Sequence, residues 1–254
     1  MKKLAMHKII DVPILAYEMD YYQYIPPSHL MRLTSTTAFG ALWTYGYSYL
    51  DLLNELGATW MMGMVDMHVH KDLSVTREPE LISMYASPLY RTPANFMIRV
   101  IARHGEEAVS TTDVCVLVVN FKERRVLHTD EVVARLGSPK EAIVLPPPER
   151  LQMPEDLEFV MDQPVRFYDC DRNQHLNAYR YADYICQAGG YWDHGKHVKA
   201  DRLRIEYDRE CRPGETLTIA KREIAGDGTY VQGNKQDGTL SFKALLKLEE
   251  AAEC

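Results

Sequence analysis

FYDCDRNQHLNAYRYADY, residues 167–184, sets acid, amide and imidazole groups at alternate positions ahead of a run with helical periodicity. Polar groups beside an apolar face cost free energy unless they are satisfied or used. Asp171, Asn173 and His175 recur every second residue, so an extended segment would project all three to one side. The period then changes: Ala178, Tyr181, Ala182, Ile185, Cys186 and Gly189 share one helical face, with Asn177 as the expected N-cap. Polar side chains would there meet free backbone amides at a helix start, a place suited to developing negative charge.

Outward from this stretch, each half of the chain reads as a helix followed by long strands, a repeat of layout rather than of identity. In the first half, Phe39, Leu42, Trp43, Gly46, Tyr49, Leu50 and Leu53 follow helical spacing, and Gly57 is placed to end the helix. Such an apolar stripe reads as core. Strand-like runs follow at 74–83, 95–103, 110–120 and 124–128. In the second half a run at 159–168 precedes the helix of 177–190, and further runs lie at 203–211, 216–223, 230–233 and 239–248. Arg212-Pro213-Gly214, Asp227-Gly228 and Asp237-Gly238 supply the turns between them. Between the halves, Ser138, Pro139 and Glu141 read as a capping-box start to a short helix, and Pro146-Pro147-Pro148 as a stiff connection. The expected units are therefore 1–148 and 149–254. Sequential strands joined by short turns, with a helix for each sheet, make the class α+β.

Composition narrows the partners. The 254 residues are 46% hydrophobic and 26% charged, with net charge −7, which is globular material whose acidic balance disfavours nucleic acid. Lys196, Lys199, Arg202, Arg204, Arg209 and Arg212 follow the quoted stretch, but Asp201, Glu206, Asp208 and Glu210 are interleaved, so the region reads as a mixed-charge surface first and a docking patch second. No apolar run reaches the roughly eighteen residues of a membrane span, and His7, Lys8 and Asp11 interrupt any signal-peptide core, so the expectation is a cytoplasmic protein without membrane insertion. Five scattered cysteines without a CxxC pair point to reduced thiols.

Two metal patterns fail on inspection. Asp169, Asp171 and Asn173 imitate a calcium loop, but Gln174 stands where the turn glycine belongs and Arg180 where the bidentate Glu is required. Asp66, His68 and His70 form a DxHxH run like that of metal-dependent amidohydrolases, without the alternating strands and helices of their barrel. Neither a metal nor an organic cofactor is expected.

Asp171, Asn173, Gln174, His175 and Asn177, followed after an apolar strand by Arg209, Glu210 and Cys211, resemble the acyl-(acyl carrier protein) thioesterase family. The resemblance implies two tandem hotdog units, each a long helix wrapped by an antiparallel sheet, packed as a pseudo-dimer. It also implies release of fatty acids from their carrier protein, with the active site in the second unit. By resemblance the family's Asp, Asn and His fall on Asp171, Asn173 and His175, and its later Glu and Cys on Glu210 and Cys211. Ala178 stands where the family usually has a second asparagine.

A thioester's leaving thiol has a pKa of about 8.5, so what remains to be supplied is a water activator and an oxyanion site. Glu210, expected on a strand beside the acyl channel, is the base if partial burial raises its pKa. Asn173 and His175 would orient water or carbonyl, and Asp171 the neighbouring loop. The rival mechanism makes Cys211 the nucleophile, paired with His175; it ranks second because strand neighbours face opposite ways. Trp43, Tyr47, Trp60, Met61, Met62 and Met64 are candidates for the acyl channel. Acyl-coenzyme A as the substrate, a non-catalytic acyl-thioester-binding protein, and homodimer formation stay open at this point.

Overall fold

The computed structural model of the protein describes residues 6–75, 79–137, 148–192 and 197–250. In chain order the strands are β1 (His7–Ile14), β2 (Ala58–Val69), β3 (Glu80–Ala86), β4 (Tyr90–Arg91), β5 (Phe96–His104), β6 (Glu107–Asn120), β7 (Glu158–Pro164), β8 (Val198–Tyr207), β9 (Thr216–Ile224), β10 (Gly228–Lys235) and β11 (Leu240–Glu250). The helices are α1 (Pro27–Thr44), α2 (Tyr49–Leu56), α3 (Thr129–Leu136) and α4 (Arg180–Ala188).

All eleven strands join one antiparallel sheet in the order β1-β3-β5-β6-β2-β8-β11-β10-β9-β7, with β4 paired to β5. The first six belong to the first half of the chain and the last five to the second, so the halves meet where β2 pairs β8, from Met64 opposite Glu206 to His68 opposite Arg202. α1 packs against β1, β3, β5 and β6, α4 against β7, β9 and β11, and the two helices touch each other. This is an α+β double hotdog, as expected. The core lies between helices and sheet: Met31, Ala38, Ala41 and Leu42 of α1 and Ala182, Ile185 and Cys186 of α4 are buried with Met67, Phe96, Val116, Leu203 and Phe242.

Several local expectations change. The first-half helix is broken: Gly46, at φ +85°, ends α1, and Ser48 restarts the chain by accepting the N–H of Asp51 at 3.1 Å. Gly57 closes α2 in the left-handed conformation, as its position implied. β1 and β2 replace segments not read as strands, and 124–128 contributes a single bridge, Val126 to Val119. The helix start expected at Ser138 lies outside the described residues. Among the described residues no helix is long and apolar enough to cross a membrane.

Candidate active site

The stretch quoted at the outset folds as a tight turn, not as an extended segment. After a 3₁₀ turn at Phe167–Asp169, Asp171 Oδ1 accepts the backbone N–H of Asn173 at 2.8 Å and of His175 at 3.3 Å. The Asp171 N–H donates to His175 O at 2.8 Å, and Gln174 sits at φ +64°, a left-handed position that reverses the chain. Asn177 does not cap α4. Its backbone N–H and its Nδ2 both donate to Asp169 O, at 3.0 and 3.1 Å, and the helix begins at Arg180. The polar side chains still share a side, because the turn rather than a pleat gathers them.

One main-chain bond ties this turn to the second motif: the Leu176 N–H donates to Cys211 O at 2.8 Å. Glu210 and Cys211 lie beyond the end of β8, in a loop and not on a strand. The bond nonetheless brings Glu210 Oε1 to 3.5 Å from His175 Nε2, with the two side chains 20% and 16% exposed. Arg124, from the turn after β6, donates to Glu210 Oε1, and Arg212 Nη2 stands 3.6 Å from the same oxygen.

The expected rise in the Glu210 pKa is overturned. Burial does push this carboxyl up, but the Arg124 hydrogen bond, the charges of Arg124 and Arg212 and, when protonated, that of His175 outweigh it and hold Glu210 below the usual carboxylate range. Burial lowers the pKa of His175, against the opposing pull of Glu210 and Asp171, and so favours the neutral imidazole. The pair is therefore a carboxylate beside a neutral ring at neutral pH.

Both groups open into a cavity of about 750 Å³. Its polar lining includes Asp171, Asn173, His175, Asn177, Arg124, Arg209 and Glu210, and its apolar lining Phe39, Trp43, Tyr47, Leu50, Trp60, Met61, Met62, Leu117 and Ala178. The first-half stripe read as core is thus divided: Leu42 and Leu52 are buried, whereas Phe39, Trp43 and Leu50 are 37%, 72% and 58% exposed and face the cavity. Of the six channel candidates, Met64 alone is absent from the wall.

Cys211 is not brought into the cavity. It is fully buried, its Sγ lies 3.1 Å from Ser241 Oγ, and burial raises its thiol pKa. A neutral buried thiol makes a poor nucleophile. Arg124 was missed from sequence, since an arginine in a polar turn carries no signal of what it will meet across the fold. The DxHxH decoy is spent on structural contacts: Arg202 grips Asp66 across the halves at 2.8 and 2.6 Å, and His70 Nε2 lies 2.9 Å from Thr111 Oγ1 within the first half.

The turn at Asp171 has a twin in the first half. Asp20 Oδ1 accepts the N–H of Tyr22 at 2.8 Å and of Tyr24 at 3.1 Å, the Asp20 N–H donates to Tyr24 O at 2.8 Å, and Gln23 sits at φ +70°. Just as Leu176 bonds Cys211, Ile25 donates to Leu73 O at 2.9 Å. Tyr22, Tyr24 and Asp72 therefore occupy the places of Asn173, His175 and Glu210. Here Asp72 Oδ2 lies 2.9 Å from His197 Nε2, and the His197 ring stacks on Tyr24 at 3.8 Å.

Residues 153–253 match the family model described as "Acyl-ACP thioesterase C-terminal domain", which covers the turn, Glu210 and Cys211. No curated protein matches the chain. Among solved structures, the 12:0-ACP thioesterase from Umbellularia californica is similar at 14% identity and TM-score 0.80, over 97% of this chain and 98% of that one. A Lactobacillus plantarum protein described as an oleoyl thioesterase is similar at 15% identity and TM-score 0.79, over 99% of both chains. An acyl-ACP thioesterase from Bacteroides thetaiotaomicron VPI-5482 is similar at 15% identity and TM-score 0.76, over 96% and 98% of the two chains. The resemblance drawn from the two sequence motifs is borne out.

Proposed function

We propose that the chain, a thioester hydrolase by the match of its second half, cleaves fatty acyl thioesters carried on acyl carrier protein and releases the free acid. The observation that carries this reading is the meeting of His175 and Glu210, 3.5 Å apart, in the wall of a cavity that aromatic and aliphatic side chains also line. In this reading a hydrocarbon chain lies against the apolar lining, with its thioester carbonyl among Asn173, His175 and Glu210.

In this mechanism Glu210 takes a proton from water as the oxygen attacks the carbonyl carbon. Asn173 and neutral His175 hold the water and the carbonyl, and Asp171 holds the turn by its bonds to Asn173 and His175. Collapse of the tetrahedral intermediate breaks the C–S bond, and the thiolate needs little acid help to leave. A base held below the usual carboxylate range is a weaker proton acceptor, but it is ionised at neutral pH.

The test is a panel of acyl-carrier-protein and coenzyme A thioesters of graded chain length, with the released acids identified. Hydrolysis of carrier-protein thioesters supports the reading, preference for coenzyme A changes the carrier, and tight binding without release makes the chain a binding protein. Glu210→Gln should lose roughly a hundredfold or more in kcat, the scale of a general base. Turnover retained there but lost in Cys211→Ala would return the chemistry to the thiol.

A further inference from the structure

We propose that Arg124 is a positioning residue for the hydrolytic base: reaching across from the first half of the chain, its guanidinium fixes one oxygen of Glu210 and turns the other toward the attacking water. The inference rests on Glu210 being that base.

Arg124 is held in place by its own loop. The Asn120 N–H donates to Arg125 O at 3.0 Å and the Arg124 N–H to Asn120 O at 2.9 Å, while Asn120 Oδ1 accepts the N–H groups of Lys122 and Glu123 at 3.0 and 2.9 Å. The loop is fastened to the end of α2, where Asn120 Nδ2 donates to Leu56 O and the Phe121 N–H to Gly57 O, each at 2.9 Å. Arg124 itself has φ +55°, a conformation that non-glycine residues seldom adopt and that persists where the surroundings enforce it.

The charges around Glu210 come from three directions. Arg124, Arg212 and His175 all meet Oε1, Lys235 Nζ donates to the Glu210 backbone carbonyl at 3.3 Å, and Asp171 stands behind His175. Crowding one oxygen leaves Oε2 as the face for water. An exposed ion pair contributes little to stability, and the Arg124 side chain is 55% exposed, so folding energy is a weak reason for the pair. Orientation is a strong one, because small misplacements of a catalytic group are costly in rate.

The experiment compares pH profiles of kcat and kcat/KM for the wild type, Arg124→Gln, Arg124→Lys and Glu210→Gln with one acyl thioester. Arg124→Gln should lower kcat by about tenfold or more, with KM changed less than about threefold. Its acid limb should move to higher pH, since Glu210 and His175 both lose a neighbouring positive charge and both then protonate more readily. Arg124→Lys keeps the charge, so its limb should return toward the wild type while its rate, without the guanidinium fork, stays reduced. A limb unmoved in Arg124→Gln, or a loss confined to KM, overturns the role of Arg124 while Glu210→Gln remains inactive. An active Glu210→Gln instead removes the base itself, whatever Arg124 does.

Discussion

Glu210 and Cys211 are chain neighbours in opposite environments. The carboxylate faces three cationic or imidazole groups at the cavity, and the thiol faces Ser241 inside the core. The family resemblance marked both as candidates, but only exposure to the cavity and a nearby proton partner separate a candidate reacting group from a packed one. Cys211→Ala should accordingly keep kcat within about twofold while losing about 1–2 kcal/mol of stability from the lost Sγ packing and its contact with Ser241. Steady-state assays beside urea titrations would check this, and a large fall in kcat at unchanged stability would reinstate the cysteine.

The break between α1 and α2 shows how a packing stripe becomes a wall. Gly46 ends the first helix and the Ser48 cap starts the second, and Trp43 before the break and Tyr49 after it both line the cavity. Trp43→Ala should therefore raise KM for long acyl chains by about fivefold or more and leave stability within about 1 kcal/mol, because the ring is 72% exposed. Matched acyl-chain series and thermal melts would separate the two effects, and a marked drop in melting temperature would make Trp43 core after all. The same elements show what the sequence made legible. α4 could be read because Tyr181, Ala182, Ile185 and Cys186 repeat with helical period against a single core. β2 could not: Met64 and Val65 are buried in succession because this strand sits mid-sheet, and Gly63 shifts its register, which erases alternation. Asp171, Asn173 and His175 stood out by their spacing, and the family resemblance joined Glu210 and Cys211 to them, yet the local geometry was misjudged, since the left-handed Gln174 that makes the turn carries no compositional mark.

At the scale of the molecule, the β2–β8 seam makes both halves parts of one sheet. Beside it Glu206 is 2% exposed and is met by Arg204 at 2.7 Å, Arg150 at 3.0 Å, Lys243 at 3.5 Å and the Leu151 N–H at 2.8 Å. Glu206→Ala would strand a buried Lys243 and should cost about 3–5 kcal/mol, read as a fall in the denaturation midpoint of the whole chain in one transition. Two separated transitions would show that the seam does not couple the halves. The twin turn at Asp20 has its own bearing on the seam's two sides. In a dimer of identical single units, any substitution at one mouth is copied at the other, so a wall and the reacting groups opposite it cannot vary separately. Here Tyr22 and Tyr24 stand in the first half where the second has Asn173 and His175, so the two turns already differ. The first half's aromatic lining can drift toward longer or shorter guests one codon at a time, while the acid and imidazole across the seam stay as they are.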